Sequence, residues 1–306
     1  MKHFSLLILL LFLSNFSFSQ NYIIVDAETK KPLPFVAVHN DDNGFYAGEH
    51  GDFKLPSDIK DSIKLQHLGY QTISLSTNDL GKIKDTVFMI PNVQSLNEVI
   101  ITNKKEKREF IKPLKRGMMS WPLSSKHELL VLIQPNTKYI NAYIEKIHLP
   151  ILSKHHWLEN AEKSYKDAYA FLRVNIYRQE NKLPVKSIYS SQPIKISGFS
   201  KDEIIVNLAD ALIQLDQKGL FFGIELIGYF NNGEIIESTD AFVRPRFTKK
   251  ISKHFNAETF IKLNFFQGED DLIPYKSIIE RGGMINPNIN LNLAIGFTLI
   301  PQETKQ

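Results

Sequence analysis

The sequence predicts an all-β protein, with two β-sandwiches in tandem behind an export signal. The first has about seven or eight strands, and the second is larger and jelly-roll-like. Two observations carry this. Apolar residues alternate with polar ones at period two through most of the segments apolar enough to be buried, as in strands with one covered face. Gly, Asn, Asp and Pro interrupt those segments about every ten residues, the spacing of short strands in a sandwich. One segment, residues 159–168, reads as a short polar helix in an insertion.

Residues 1–19 read as a signal peptide. Lys2 and His3 form a basic start, Phe4 to Leu13 is an apolar run broken only by Ser5, and Ser17 and Ser19 place small residues before a cleavage site at Gln20. The run is shorter than the roughly 20 residues needed to span a bilayer. No other apolar stretch approaches that length, so the mature chain is not expected to be transmembrane. Cleavage leaves enough chain for two domains at about 100–200 residues each. Cysteine is absent, which rules out a lipoprotein anchor, disulfides, thiol catalysis and thiolate metal sites; stability must come from packing and strand pairing. A formal net charge of +4 is too small to argue for nucleic acid.

The first domain is expected over residues 20–102. Tyr22-Ile23-Ile24-Val25 opens it, and Asp26 to Lys31 carries a turn. Pro32 and Pro34 suit an edge or a strand start, and Phe35 to His39 continues as strand. Asn43-Gly44 signals a two-residue hairpin, because both residues tolerate positive φ. Gly51-Asp52 marks a turn before Phe53-Lys54-Leu55. Ile63, Leu65 and His67 then alternate with Lys64 and Gln66, Gly69 breaks the run, and Gln71 to Leu75 resumes it. Thr86 to Ile90 and Val99 to Ile101 close the set.

Pro32, Pro34, Phe35 and Val36, then Gly51, Asp52 and Phe53, then Gly69 and Tyr70, and finally Leu96, Glu98 and Val99 together form a pattern that resembles the carboxypeptidase regulatory-like domain, a transthyretin-like (prealbumin-like) sandwich. Such domains stand at the N-terminus of TonB-dependent outer-membrane receptors and of other exported proteins. The resemblance implies a fold and a supporting or contact role, with no catalytic residues to carry over. The roughly 200 residues that follow are too few for a receptor barrel of 22 strands at about 10 residues each. No zinc peptidase domain precedes the stretch.

Residues 103–117 form a run of mixed charge in which basic residues dominate, expected to be a solvated linker. From 118 to 306 the chain is again β-patterned. Ile140, Ala142 and Ile144 alternate with polar neighbours, the phase slips at Glu145-Lys146, and alternation resumes at Ile147, Leu149 and Ile151; such a slip predicts a β-bulge. Leu172, Val174 and Ile176 alternate with Arg173 and Asn175, Phe222, Ile224 and Leu226 with Gly223 and Glu225, and Ile261, Leu263 and Phe265 with Lys262 and Asn264. Ile289, Leu291, Leu293, Ile295 and Phe297 form the cleanest run. Each pattern predicts one face in a core and one in water. The order of these segments loosely resembles jelly-roll domains that follow regulatory-like domains in exported proteins.

Enzymatic chemistry finds little purchase. His156 and Glu159 have the spacing of a zinc-peptidase pair, with His254 as a later third ligand. Nine histidines make such a spacing easy to meet by accident, and the flanking pattern is β-rich where that peptidase fold is α/β. Asp41, Asp42, Glu49 and Asp52 surround two glycine turns but do not match a calcium loop, and Asp in turns has its own reason to be there. Trp121 and Trp157 are the only tryptophans and lie near expected strand ends, as burial under loops, sugar stacking or a protein anchor would each require. No catalytic, metal or cofactor residue is assigned. The expectation is a non-catalytic exported accessory or interaction protein with a cell-envelope protein partner. A carbohydrate-binding module with a polysaccharide partner is the alternative, and a zinc hydrolase a further one. Periplasm, outer-membrane periphery and medium all remain open as its location.

Overall fold

The structure, a computed structural model, describes residues 21–40, 43–56, 59, 61–92, 107–114, 120–124, 127–152, 168–197, 203–231, 234–236, 243–262, 272–281 and 291–302. The signal segment and nearly all of the expected 159–168 helix lie outside them. The protein is all-β and divides into two compact units, Met1–Leu96 and Asn97–Gln306.

In the first unit the strands are β1 (Asn21–Asp26), β2 (Ala37–His39), β3 (Gly44–Tyr46), β4 (Asp52–Lys54), β5 (Ser62–Gln66), β6 (Ile73–Ser76) and β7 (Thr86–Met89). One sheet has the order β4-β1-β7, antiparallel at β1/β4 and parallel at β1/β7; the other has the order β3-β2-β5-β6. Ile24, Phe53, Val87 and Met89 from the first sheet and Val38, Ile63 and Leu65 from the second share one apolar cluster. β5 is the plainest case of sequence becoming structure: Ile63 and Leu65 are buried while Ser62, Lys64 and Gln66 face solvent.

Two local features depart from the sequence expectation. The β2–β3 hairpin exists, but its loop is not Asn43-Gly44. His39 pairs with Gly44, so Gly44 lies in the strand and not in the loop. Asn40 closes it: its backbone N–H donates to the Asn43 carbonyl, and its side-chain Oδ1 accepts from the Asn43 N–H at 2.6 Å. An Asn side chain imitating a turn thus moves Gly44 into the strand. Between β6 and β7 the chain forms a short helix, α1 (Thr77–Lys82), announced by Ser76-x-x-Asp79. The Ser76 Oγ accepts from the Asp79 N–H at 3.0 Å and donates to the Asp79 carboxylate at 2.7 Å, so Ser76 is the N-cap of the helix. Leu80 is its buried residue.

The second unit carries β8 (Glu109–Ile111), β9 (Glu128–Pro135), β10 (Tyr143–Leu152), β11 (Tyr169–Glu180), β12 (Leu183–Ser190), β13 (Ile194–Ser197), β14 (Glu203–Asn207), β15 (Leu220–Asn231), β16 (Glu234–Ile236), β17 (Arg244–Pro245), β18 (Phe247–Thr248), β19 (Phe255–Lys262), β20 (Leu272–Pro274), β21 (Asn292–Leu293) and β22 (Gly296–Ile300), with a short helix α2 (Tyr275–Arg281). The larger sheet runs β12-β11-β15-β9-β19-β20, the smaller β14-β10-β22-β8, and β18 pairs β21. Leu172, Val174, Phe222 and Ile224 from the larger sheet share a core with Ile147, Leu149, Phe297 and Leu299 from the smaller. The Phe222 and Phe297 rings meet at 5.2 Å.

The phase slip in β10 is a bulge: the register against β22 shifts between Ile144 and Lys146. Glu145 is the extra residue, so Ile144 and Ile147 both reach the core. Three other expectations are corrected. Residues 109–111, expected within a solvated linker, are a strand paired with β22 through Phe297, Thr298 and Leu299. The run from 289 to 297 is not one strand: Leu293 belongs to β21 and Phe297 to β22, which lie in different sheets, while Ile289 lies outside the described residues. Gly223 and Glu225 do not face water, because β15 is central in its sheet and buried from Leu220 to Phe230.

Candidate functional site

The most concentrated ionisable chemistry among the described residues is inside the larger sheet of the second unit. Four residues stand side by side across it. Arg173 of β11 is opposite Glu225 of β15, Glu225 is opposite Glu128 of β9, and Glu128 is opposite Lys262 of β19. Glu128 and Glu225 are 1% and 2% exposed. Like charges directly opposite in a sheet repel, and here water cannot relieve them.

Hydrogen bonds do so instead. The Asn175 amide donates to Glu128 Oε1 at 2.9 Å and to Glu225 Oε2 at 2.7 Å, bridging the two carboxylates. The Asn175 Oδ1 accepts from the Ser190 hydroxyl at 2.7 Å. The Tyr177 hydroxyl lies 2.9 and 3.1 Å from the two Glu128 oxygens, and an Arg173 Nη1 stands 3.4 Å from Glu225 Oε1. Gly223, opposite Asn175, leaves the space: a Cβ there would collide with the Glu128 carboxylate. Burial first, and then the Glu225 charge, push the Glu128 carboxyl up to about 7. Two carboxylates around one shared amide can hold a proton near neutrality, but sealed from solvent they meet no substrate. The sequence carries a trace of this pair that alternation alone does not decode. Glu128 begins the apolar run Leu129–Ile133, and Glu225 interrupts Leu220–Phe230.

Of the residues with zinc-ligand spacing, His156 and Glu159 lie outside the described residues, and His254 is placed in a different role. The Tyr139 hydroxyl donates to Glu109 Oε2 at 2.9 Å. With its one proton committed, it accepts from His254 Nδ1 at 3.2 Å, so Nδ1 carries the hydrogen. Lys138 completes the group, its Nζ 2.6 Å from the same Glu109 oxygen. Lys138, then Tyr139, hold the Glu109 carboxyl below its ordinary value. Burial, then the charges of Lys253 and Lys138, push His254 down. The arrangement ties β8 to the turn before β10 and to the segment before β19.

Asp41 and Asp42 also lie outside the described residues, while Glu49 and Asp52 lie within them. No group of three or more metal-ligating side chains occurs among the described residues. Trp121 packs partly buried against the core, its ring perpendicular to that of Tyr275 at 5.2 Å; Trp157 is outside the described residues. No helix among the described residues is long and apolar enough to cross a membrane.

The first unit presents a different kind of feature. β7 is an outer strand of its sheet, and among the described residues it pairs only with β1. The Asp85 and Met89 carbonyls accept from the Ile23 and Ala27 N–H groups of the β1 side. In a strand the backbone groups alternate in direction, so Thr86 and Phe88 turn theirs to the open edge. Beside that edge Phe88 is 47% and Ile90 52% exposed, with Ile23 of β1 at 41%. Lys30 Nζ stands 4.6 Å from the Phe88 ring centre.

Comparison with models of known protein families finds no match to this chain, and comparison with curated proteins finds none either.

Proposed function

We propose that the protein is a non-catalytic exported accessory protein of the cell envelope, which takes up an extended segment of a partner protein as an added strand along β7. The observation that carries this reading is the open β7 edge, with the backbone of Thr86 and Phe88 turned outward and Phe88, Ile90 and Ile23 exposed beside it. An added strand gains main-chain hydrogen bonds from such an edge and side-chain contacts from the apolar residues flanking it. Phe88, Ile90 and Ile23, exposed along this edge, also suit a contact surface. The resemblance of residues 22–101 to carboxypeptidase regulatory-like domains supports a contact role for that unit, read as a sandwich of that kind. The apparent signal at residues 1–19 supports export. The burial of Glu128 and Glu225 supports a structural role for the strongest ionisable cluster.

Placing the photo-crosslinker benzoylphenylalanine at position 88 tests the reading. We expect a discrete protein adduct in cell-envelope preparations, lost when Thr86→Pro removes an edge N–H, a change that outer strands tolerate. The reading fails if no adduct forms, or if the adduct persists in the folded Thr86→Pro protein.

A further inference from the structure

The second unit contains a cavity of about 210 Å³ that none of the clusters above uses. β18, β21 and the start of β19 enclose it. Phe255, Leu293 and Ile295 supply its buried lining, and Lys250, Ile251 and Asn256 its exposed lining. The polar side chains at its inner end are engaged within the protein. Thr248 Oγ1 accepts from the Lys250 N–H at 3.1 Å, and Asn292 Oδ1 accepts from the Thr259 hydroxyl at 3.2 Å. What the interior offers a guest is therefore mainly hydrocarbon.

Lys250 lines the mouth, with two further lysines near it in sequence. Lys249, Lys250 and Lys253 fall within five consecutive residues, and none forms an ion pair with a described carboxylate. Volume limits the guest. An apolar cavity of about 150 Å³ accepts a benzene ring, and the space here leaves room for one more small group. A hydrocarbon interior beneath an unpaired ammonium favours an apolar body ending in one negative charge.

We propose that this cavity binds a small apolar monocarboxylate, its hydrocarbon body against Phe255, Leu293 and Ile295 and its carboxylate held by Lys250. The site lies in the second unit and does not depend on the β7 edge.

Phenylacetate is the probe, titrated into the full mature chain by calorimetry, with 2-phenylethanol as its neutral counterpart. We expect saturable one-to-one binding with a Kd of about 1 mM or tighter, suited to roughly ten non-hydrogen atoms. The alcohol should bind about tenfold more weakly, and raised salt should weaken phenylacetate but not the alcohol. Lys250→Gln should weaken phenylacetate about tenfold without altering thermal unfolding, because an exposed charge contributes little to stability. Ala257→Leu fills part of the cavity and should abolish binding, while Lys186→Gln, outside the lining, should leave it unchanged. Should Ala257→Leu fail to fold, Lys250→Gln alone decides. The proposal is overturned if folded wild-type protein shows no saturation at about ten times that concentration, or if Lys250→Gln binds as wild type does.

Discussion

The Tyr70 hydroxyl donates to Asp26 Oδ2 at 2.6 Å, joining positions 44 residues apart. Asp26 also organises its own turn, its Oδ1 accepting from the Glu28 and Thr29 N–H groups at 2.8 and 2.7 Å. Tyr70 follows Gly69, whose φ of +80° suits glycine, and Tyr70 itself bridges to Pro91. Two stretches that look unrelated along the chain are thus halves of one fastening.

This fastening should show in acid. The Tyr70 hydrogen bond first, and then the Thr29 N–H, lower the Asp26 carboxyl to about 2, while an unfolded Asp titrates near 3.9, roughly. A depressed folded value means that the contribution is fully present above pH of about 4 and is lost as pH falls through about 2. Tyr70→Phe should therefore lower the melting temperature of the first unit at pH 7, and the gap from wild type should close between those values. Thermal melts across that range check it; a gap independent of pH would contradict it.

Glu128 has the opposite sign. Its folded value, near 7, lies above the roughly 4.3 of an unfolded Glu. Its contribution is therefore fully present below pH of about 4 and is lost as pH rises through about 7. Glu128→Gln keeps an oxygen for Asn175 and removes the charge. Denaturant unfolding should find the variant more stable than wild type at pH 8, by on the order of 2 kcal/mol, with the advantage gone by pH 5.

Asn175 separates the two carboxylates. Asn175→Leu is close in size but leaves both without their shared donor, and should destabilise the second unit by about 3–5 kcal/mol. The loss should deepen as pH rises from 5 to 8, because repulsion grows as the Glu128 proton leaves. Calorimetric melts at the two pH values would report it.

Gly51 is held at φ +74°, and a Cβ there would stand 2.6 Å from the Ile24 carbonyl and 2.9 Å from that of Leu33. Gly51→Ala should lower first-unit stability by about 1–3 kcal/mol, a change visible in the denaturation midpoint. Gly69→Ala shares the strained φ but meets no atom within 4 Å, so its loss should be smaller.

Alternation made much of this fold legible, because it reports which side chains share a face. It identified β5 at Ile63 and Leu65 and found the bulge at Glu145 from a break in phase. It does not report what lies over the other face, so Glu225 on β15 and Asn175 on β11 read as solvent-facing positions although both are buried. Glu109–Ile111 is too short and too charged to show a period, and its pairing with β22 depends on residues far along the chain. Asn43-Gly44 has local turn chemistry, but a side-chain bond from Asn40 sets the actual loop. The His156, Glu159 and His254 spacing concerned distance along the chain, whereas the placement of His254 is set by Tyr139 and Glu109, which sequence spacing does not connect.

The bulge in β10 makes that strand more sensitive to length than to composition. Ile144 points inward on one count and Ile147, Leu149 and Ile151 on another, with Glu145 absorbing the difference. Losing a single residue between Ile147 and Ile151 would act like a shifted reading frame, turning the aliphatic side chains beyond it to the opposite face of the sheet. Replacing Glu145 by another residue would leave the count intact. The strand is better described as two short words joined by a hyphen, and the hyphen is the one part whose deletion would leave every other side chain on its own face.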